Sequence, residues 1–329
     1  MGTCAHLLDL PEDILDVQIL QQLTKNSLLY ESFLSFRCTC LSACRLPQPS
    51  ALLGEKYRRF VRLHYDRSRE HLRISPDNRD SVLFLAYEFF SGTFDRLVSL
   101  RIEPCRMVRT ELPLLLTAIF SSMSTVQHLS IFDTQIGDSN FGLVSTHSLS
   151  CASKLRRLSL HGNRLTEVSI LRISMIRLAG MLPAMVELDL QYNMLFDAGI
   201  RTLASCGRDS LRSLSYLNIA SNHISNAGIA HLARHLLEAG THGCFPLLRF
   251  LDMGFNIISD YGALLMAHAG AVDFVLPQCK ILLLNGNTLG FHGASEIART
   301  LRAGGMASLE VIGCHQSILT RNVFVQHYE

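Results

Sequence analysis

The chain has no tryptophan and no apolar run approaching the roughly 18 residues that a membrane span requires. An excess of one charge is also missing. Its 30 basic and 28 acidic residues are mixed along the sequence, so no broad single-sign field favours nucleic acid or an anionic membrane. Residues Met1 to Leu10 hold neither a basic stretch nor an unbroken apolar core of the kind a secretory leader uses, and no Asn-x-Ser/Thr acceptor occurs. Four residues after Gly2 stands His6 rather than Ser or Thr, which breaks the myristoylation pattern. Together these absences lead to the expectation of a cytoplasmic protein in a reducing compartment.

Sets of residues for chemistry are equally scarce. Neither a phosphate-cradling Gly loop nor a nucleophile elbow is present, and the paired Gly304 and Gly305 precede a strand where a connection belongs. Cys38, Cys40 and Cys44 could bring three thiolates together, but no second Cys or His pair lies at finger spacing, and His64 and His71 do not complete a set of four. His231 and His235 share one face of an expected helix, yet Leu232 and Leu236 mark its core side, so a solvated face accounts for both. The expectation is no catalytic set, no cofactor and no metal, hence no enzyme.

What is present is a period. One phrase, LxxLxLxxNxL with substitutions, recurs eight times. Its first three apolar positions are Leu97, Leu100 and Ile102, then Val126, Leu129 and Ile131, then Leu155, Leu158 and Leu160, then Met185, Leu188 and Leu190. The second half continues with Leu214, Leu217 and Ile219, then Leu248, Leu251 and Met253, then Cys279, Leu282 and Leu284, and finally Leu309, Ile312 and Cys314. Successive copies start 29 to 34 residues apart. Three residues after the third apolar position stands Asn163, Asn193, Asn222, Asn256 or Asn287, with Cys105, Thr134 and Ser317 in the remaining copies. Such a column can satisfy backbone groups that a sharp turn between stacked coils would leave unpaired.

Six residues past four of those Asn comes Gly199, Gly228, Gly262 or Gly293, where close approach or positive φ is expected, while Ser169 takes the place after Asn163. Beyond it the apolar period changes from two to about 3.6, at Ile229, Leu232, Ala233 and Leu236, at Leu264 and Leu265, and at Ile297, Ala298 and Leu301. Each unit is therefore one strand and one helix. A lone unit cannot bury its apolar face, so the units stack into a solenoid, whose size limit is set only by neighbour-to-neighbour packing. At 48% apolar content there is ample core for it. Cys105, Cys279 and Cys314 fall on repeat positions, where a free thiol serves as a small hydrophobe.

The pattern resembles the leucine-rich repeat family, in particular its long-repeat, ribonuclease-inhibitor-like class. The resemblance implies an α/β horseshoe with parallel strands on the concave face, helices on the convex face, and protein binding as its use. It covers residues 69–319, with eight clear repeats from residue 97 and a degenerate one before them at Leu72, Ile74 and Asp77.

Residues 1–68 stand outside the repeat. Pro11, Glu12 and Asp13 open a short amphipathic helix that continues through Ile14, Leu15, Ile19, Leu20 and Leu23, and two further apolar clusters follow. One reading is a helical cap over the solenoid's open end. The other rests on Leu10, Pro11, Ile14, Leu15, Ile19 and Leu20, which resemble the F-box, a motif that docks on the adaptor of cullin-type ubiquitin ligases. Three residues separate its apolar pairs here, against two in that family, and the usual Trp is missing. That resemblance implies a substrate receptor, whereas the cap reading leaves a scaffold or structural subunit, for example of a cytoskeletal or ciliary assembly.

Between the leucines, alternate residues face the concave side. Phe250, Ile281, Leu283 and Val311 should there form one apolar patch, edged by Tyr216, with Glu187, Asp189 and Asp252 setting a charge preference for a protein partner. Residues 320–329 end in Val323, Phe324, Val325 and Tyr328, a tail apolar enough to cover either that patch or the last coil.

Overall fold

The computed structural model describes residues 71–74, 85–86, 88–89, 94, 96–103, 112–122, 124–142, 152–180, 182–207, 210–238, 245–272, 276–315 and 317–328. One ten-stranded sheet runs through them in strict chain order. Its strands are β1 (His71–Ile74), β2 (Ser99–Ile102), β3 (His128–Ile131), β4 (Arg157–Ser159) and β5 (Glu187–Asp189). They continue as β6 (Tyr216–Asn218), β7 (Phe250–Asp252), β8 (Ile281–Leu283), β9 (Val311–Cys314) and β10 (Ser317–Thr320). Every pairing from β1 to β9 is parallel and in register, so Leu72, Leu100, Leu129, Leu158, Leu188, Leu217, Leu251, Leu282 and Ile312 form one unbroken buried column.

Parallel neighbours require a crossover, and the helices supply it. They are α1 (Leu112–Ser122), α2 (Gly137–Gly142), α3 (Glu167–Leu178), α4 (Phe196–Gly207), α5 (Asn226–Glu238), α6 (Asp260–Gly270), α7 (Phe291–Arg302) and α8 (Arg321–His327). Helices α3 to α7 pack side by side on one face of the sheet. Helices need about 8–10 Å each and strands about 4.8 Å, so the stack bends with the sheet on the inside. Ile229, Leu232, Ala233 and Leu236 of α5 and Ile297, Ala298 and Leu301 of α7 are buried as their period requires. Helix α6 differs: Leu264 and Leu265 are only half-buried, and Ala263, Met266 and Ala267 face the core instead. Leu265 still packs against the edge of the core.

Two side-chain ladders tie the coils together. In the first, Asn256 Oδ1 accepts from the backbone N–H of Asn222 (2.9 Å) and of Ile224 (3.1 Å) in the preceding coil, while its Nδ2 donates to the carbonyls of Ile219 and Met253. Asn193 and Asn287 repeat this two-way pattern, and Asn163 meets Thr134 with N–H and hydroxyl bonds of 3.2 and 2.8 Å. Asn222 donates to Leu190 and Ala220 and accepts from Leu195. Asn163, Asn193, Asn222 and Asn256 are buried and Asn287 half-buried, and apart from the Thr134 hydroxyl their partners are backbone atoms that a coil turning this sharply cannot pair with itself.

The second ladder stands at the helix starts. Asp197 accepts from the N–H and hydroxyl of Ser225 (2.8 and 2.7 Å), Asn226 from the N–H of Ser259 and of Gly262, and Asp260 from the N–H of Gly290 and of Gly293. Each coil thereby caps the open N–H groups of the next coil's helix. This explains three of the four column glycines, while at Gly199 a Cβ would meet the Leu195 side chain instead. At Gly228, Gly262 and Gly293 φ is ordinary, but a Cβ would lie 2.6 Å from an oxygen of the capping side chain, so close approach and not positive φ demands glycine. Where Ser169 replaces it, the hydroxyl donates to Asp138 at 2.5 Å.

The chain ends differently from the repeats. Ser317, aligned by the sequence with the Asn column, opens β10, which turns back antiparallel to β9. Helix α8 then closes the last coil, with Phe324 and Tyr328 buried and the Tyr328 ring near those of Phe291 (5.7 Å) and His315 (5.9 Å). The reversal pairs the open edge of β9 with β10.

Candidate functional site

The sheet's inner face carries side chains in columns whose register the strand pairing fixes. One column runs Arg157, Glu187, Tyr216, Phe250, Ile281, Val311 and Thr320. The next runs Ser159, Asp189, Asn218, Asp252, Leu283, Gly313 and Ile318. The eight residues expected on this face, Glu187, Asp189, Tyr216, Phe250, Asp252, Ile281, Leu283 and Val311, therefore share one surface, and all are half-buried. Sequence reasoning missed Ile318. The tail covers the last coil rather than this face, and β10 extends the apolar patch with an Ile318 side chain that is 62% exposed.

Local contacts divide the face into zones. Toward its N-terminal end, charges are paired in place: Arg73 and Arg101 with Glu103, and Arg157 with Glu187, while the Arg101 guanidinium lies 4.2 Å from the Phe132 ring centre. The Glu187 carboxylate holds the Arg157 guanidinium in its charged form, raising its pKa against the burial that opposes it. Burial, together with the neighbouring Arg157 charge, pushes the His128 imidazole below its usual range. In the middle, Tyr216 and Phe250 stack with ring centres 4.4 Å apart and planes 6° from parallel. Asp189 accepts from the Ser159 hydroxyl at 2.9 Å and the Gln191 N–H at 3.1 Å. Asp252 accepts from the Gly254 N–H at 2.8 Å. Burial pushes the Asp252 carboxyl above the usual carboxylate range, the Gly254 bond opposes this, and the Asp189 charge adds to it. Burial and the Asp189 charge likewise raise the Tyr216 phenol.

Beyond the strands, the residue before the Asn turns the chain with positive φ, at Asp133, Gly162, Tyr192, Ser221, Phe255 and Gly286. Tyr192 and Phe255 are aromatic and more than half exposed there, a backbone state that costs an ordinary side chain about 1 kcal/mol or more. They line the rim of the concave face, and the Tyr192 ring continues a row through His161 to Phe132 at 5.1 Å per step. No period marks them in the sequence. On the convex side, Val168, Leu171, Met175 and Leu178 form an exposed stripe along α3.

Among the described residues no group of three or more His, Cys, Asp and Glu gathers as metal ligands. His231 and His235 are half-buried and face Arg234 and Glu238 respectively. Leu10, Pro11, Ile14, Leu15, Ile19 and Leu20, like Cys38, Cys40, Cys44, His64 and Cys105, lie outside the described residues.

A continuous in-register parallel sheet, an Asn ladder between coils and a helix in each crossover from β2 to β9 define a leucine-rich repeat solenoid of α/β class. The leucine-rich repeat family model matches residues 210–233, which hold β6, the Asn222 turn and the first half of α5. Among solved structures, the chain is similar to an internalin from Listeria monocytogenes, at 16% identity over 82% of this chain and 89% of that one, with a TM-score of 0.38. No curated protein matches the sequence.

Proposed function

We propose that this protein is a non-enzymatic interaction module that holds a protein partner on the concave face of its solenoid. The observation that carries this reading is the run of Tyr216, Phe250, Ile281, Leu283, Val311 and Ile318 across four consecutive strands and the end strand, on a face that nothing in the described chain covers. A contiguous apolar area with acidic neighbours and an aromatic rim has the anatomy of a protein interface. A scaffold or structural subunit in a reducing cell compartment is the role that fits it, supported by the free thiols of Cys206, Cys279 and Cys314. Burial pushes the Cys279 thiol up to about 12, leaving it unreactive.

The test uses two variants, Leu283→Asp on the concave face and Leu171→Asp on α3, in proximity labelling followed by mass spectrometry. Loss of partners with Leu283→Asp alone, at unchanged melting temperature, supports the proposal. Loss with Leu171→Asp alone moves the interface to the helices, and a Leu283→Asp variant that melts early shows that the patch serves the fold.

A further inference from the structure

The concave face is asymmetric in charge in a way that selects its occupant. Its acidic side chains divide into two kinds. Glu103 and Glu187 each have an arginine beside them, from Arg73 and Arg101 and from Arg157. Among the described residues Asp252 has none: the charge that acts on it is that of Asp189, which repels it, and its hydrogen bond is a single backbone N–H from Gly254. A half-buried carboxylate that feels a second carboxylate one strand away, with no cation of the described residues beside it, is stabilised by a cation brought from outside.

Geometry says what form that cation takes. Asp189 and Asp252 are separated by one strand, with Asn218 between them in register, which places them about 10 Å apart along the sheet. A guanidinium with donors on opposite edges can lie over Asn218 and reach toward both, and the stacked Tyr216 and Phe250 rings flank the position with an aromatic surface that favours it. On the far side of Asp252 the face turns apolar through Leu283, Val311 and Ile318, with the Asn285 and Leu283 side chains lying across Gly313 between them. From Asn218 to the middle of that area is three strand spacings, about 14 Å, which four residues of extended chain cover.

Resting on the proposed concave interface, we infer that the occupant is an extended segment of a protein partner in which an arginine or lysine stands two and four residues from apolar side chains. The basic side chain lodges over Asn218 between Asp189 and Asp252, and the apolar ones settle on Leu283, Val311 and Ile318. Alternate residues of an extended chain point the same way, so one strand-like segment places all three on the face at once.

The experiment is selection of a phage-displayed random dodecapeptide library on the full-length protein, followed by fluorescence anisotropy with an enriched peptide. The expected sequences carry Arg or Lys at that spacing from apolar residues. Affinity should fall about tenfold on Asp252→Asn, and equally when the peptide's arginine is replaced by citrulline. Both changes together should cost no more than either alone. Enrichment of apolar peptides without a basic residue, or no enrichment, overturns the inference while leaving the concave interface standing. Dimerisation by light scattering that Leu283→Asp abolishes also overturns it, by making a second copy the occupant. If wild type and Leu283→Asp select the same peptides with unchanged melting, the interface itself is wrong.

Discussion

At the scale of single residues, stability and binding pull against each other at Asp252. Its carboxyl is raised above the unfolded value, so the folded chain releases that proton at higher pH than the unfolded chain does. Between the ordinary carboxylate pKa and the raised one, stability therefore falls as pH rises. Asp252→Asn keeps an oxygen for the Gly254 N–H and removes the charge, so thermal melting at pH 7 should rise, with the gain vanishing below the ordinary carboxylate range. A gain independent of pH would show that charge is not its cause. Asn256 behaves oppositely, because its side chain satisfies buried backbone groups of two coils. Asn256→Ala leaves several of them unpaired, at about 1–3 kcal/mol for each group water cannot reach, and urea denaturation should show a loss of at least that size.

The pairing of Gly with an acidic cap makes a prediction of the same kind. In Gly228→Ala the new methyl meets Asp197 Oδ1 at 2.6 Å and Ile224 Cγ2 at 2.9 Å, so the cap on Ser225 must shift. The expected loss is about 1–3 kcal/mol by denaturant titration. Ser169→Gly removes a donor to Asp138 without adding bulk and should cost less, about 1 kcal/mol. A larger loss for Ser169→Gly than for Gly228→Ala would contradict the close-approach explanation.

Elements show what could be read in advance and what could not. The strands were legible because Leu-x-x-Leu-x-Leu fixes both the period and the buried column, and one misplaced residue would turn every side chain to the wrong face. The Asn column was legible for a related reason, since a recurring amide at a turn has backbone work to do. The capping column at Asp138, Asp197, Asn226 and Asp260 obeys an equally regular spacing, four residues beyond the Asn or Thr slot, but Glu167 and Phe291 interrupt it with different side chains. Strand β10 was hidden because Ser317 mimics the Asn slot, where the chain instead reverses to pair antiparallel with β9. The rim aromatics were hidden too, since Tyr192 and Phe255 occupy a left-handed backbone that their own preferences oppose.

Helix α8 tests whether the end cap acts locally. Phe324 is fully buried against the last coil, and Phe324→Ala should cost about 3–5 kcal/mol of local stability. Because coils contact only their neighbours, hydrogen exchange should speed up in β9 and β10 and stay unchanged in β4 and β5. Acceleration spread over the whole sheet would show a single cooperative unit instead.

At the scale of the whole molecule, the architecture and the binding face are separate claims. The solenoid follows from coils that share a column of leucines, a ladder of asparagines and a row of helix caps, each reaching from one coil to the next. The functional claim adds that the inner face of this stack is open and that its C-terminal half, from Glu187 to Ile318, takes a protein segment. Hydrogen–deuterium exchange of the protein with and without a selected peptide addresses it directly. The account predicts slower exchange in 187–191, 216–220, 250–254, 281–285 and 311–320, with helices α3 to α7 unaffected. Protection confined to α3 and its neighbours, with the sheet unchanged, would contradict it.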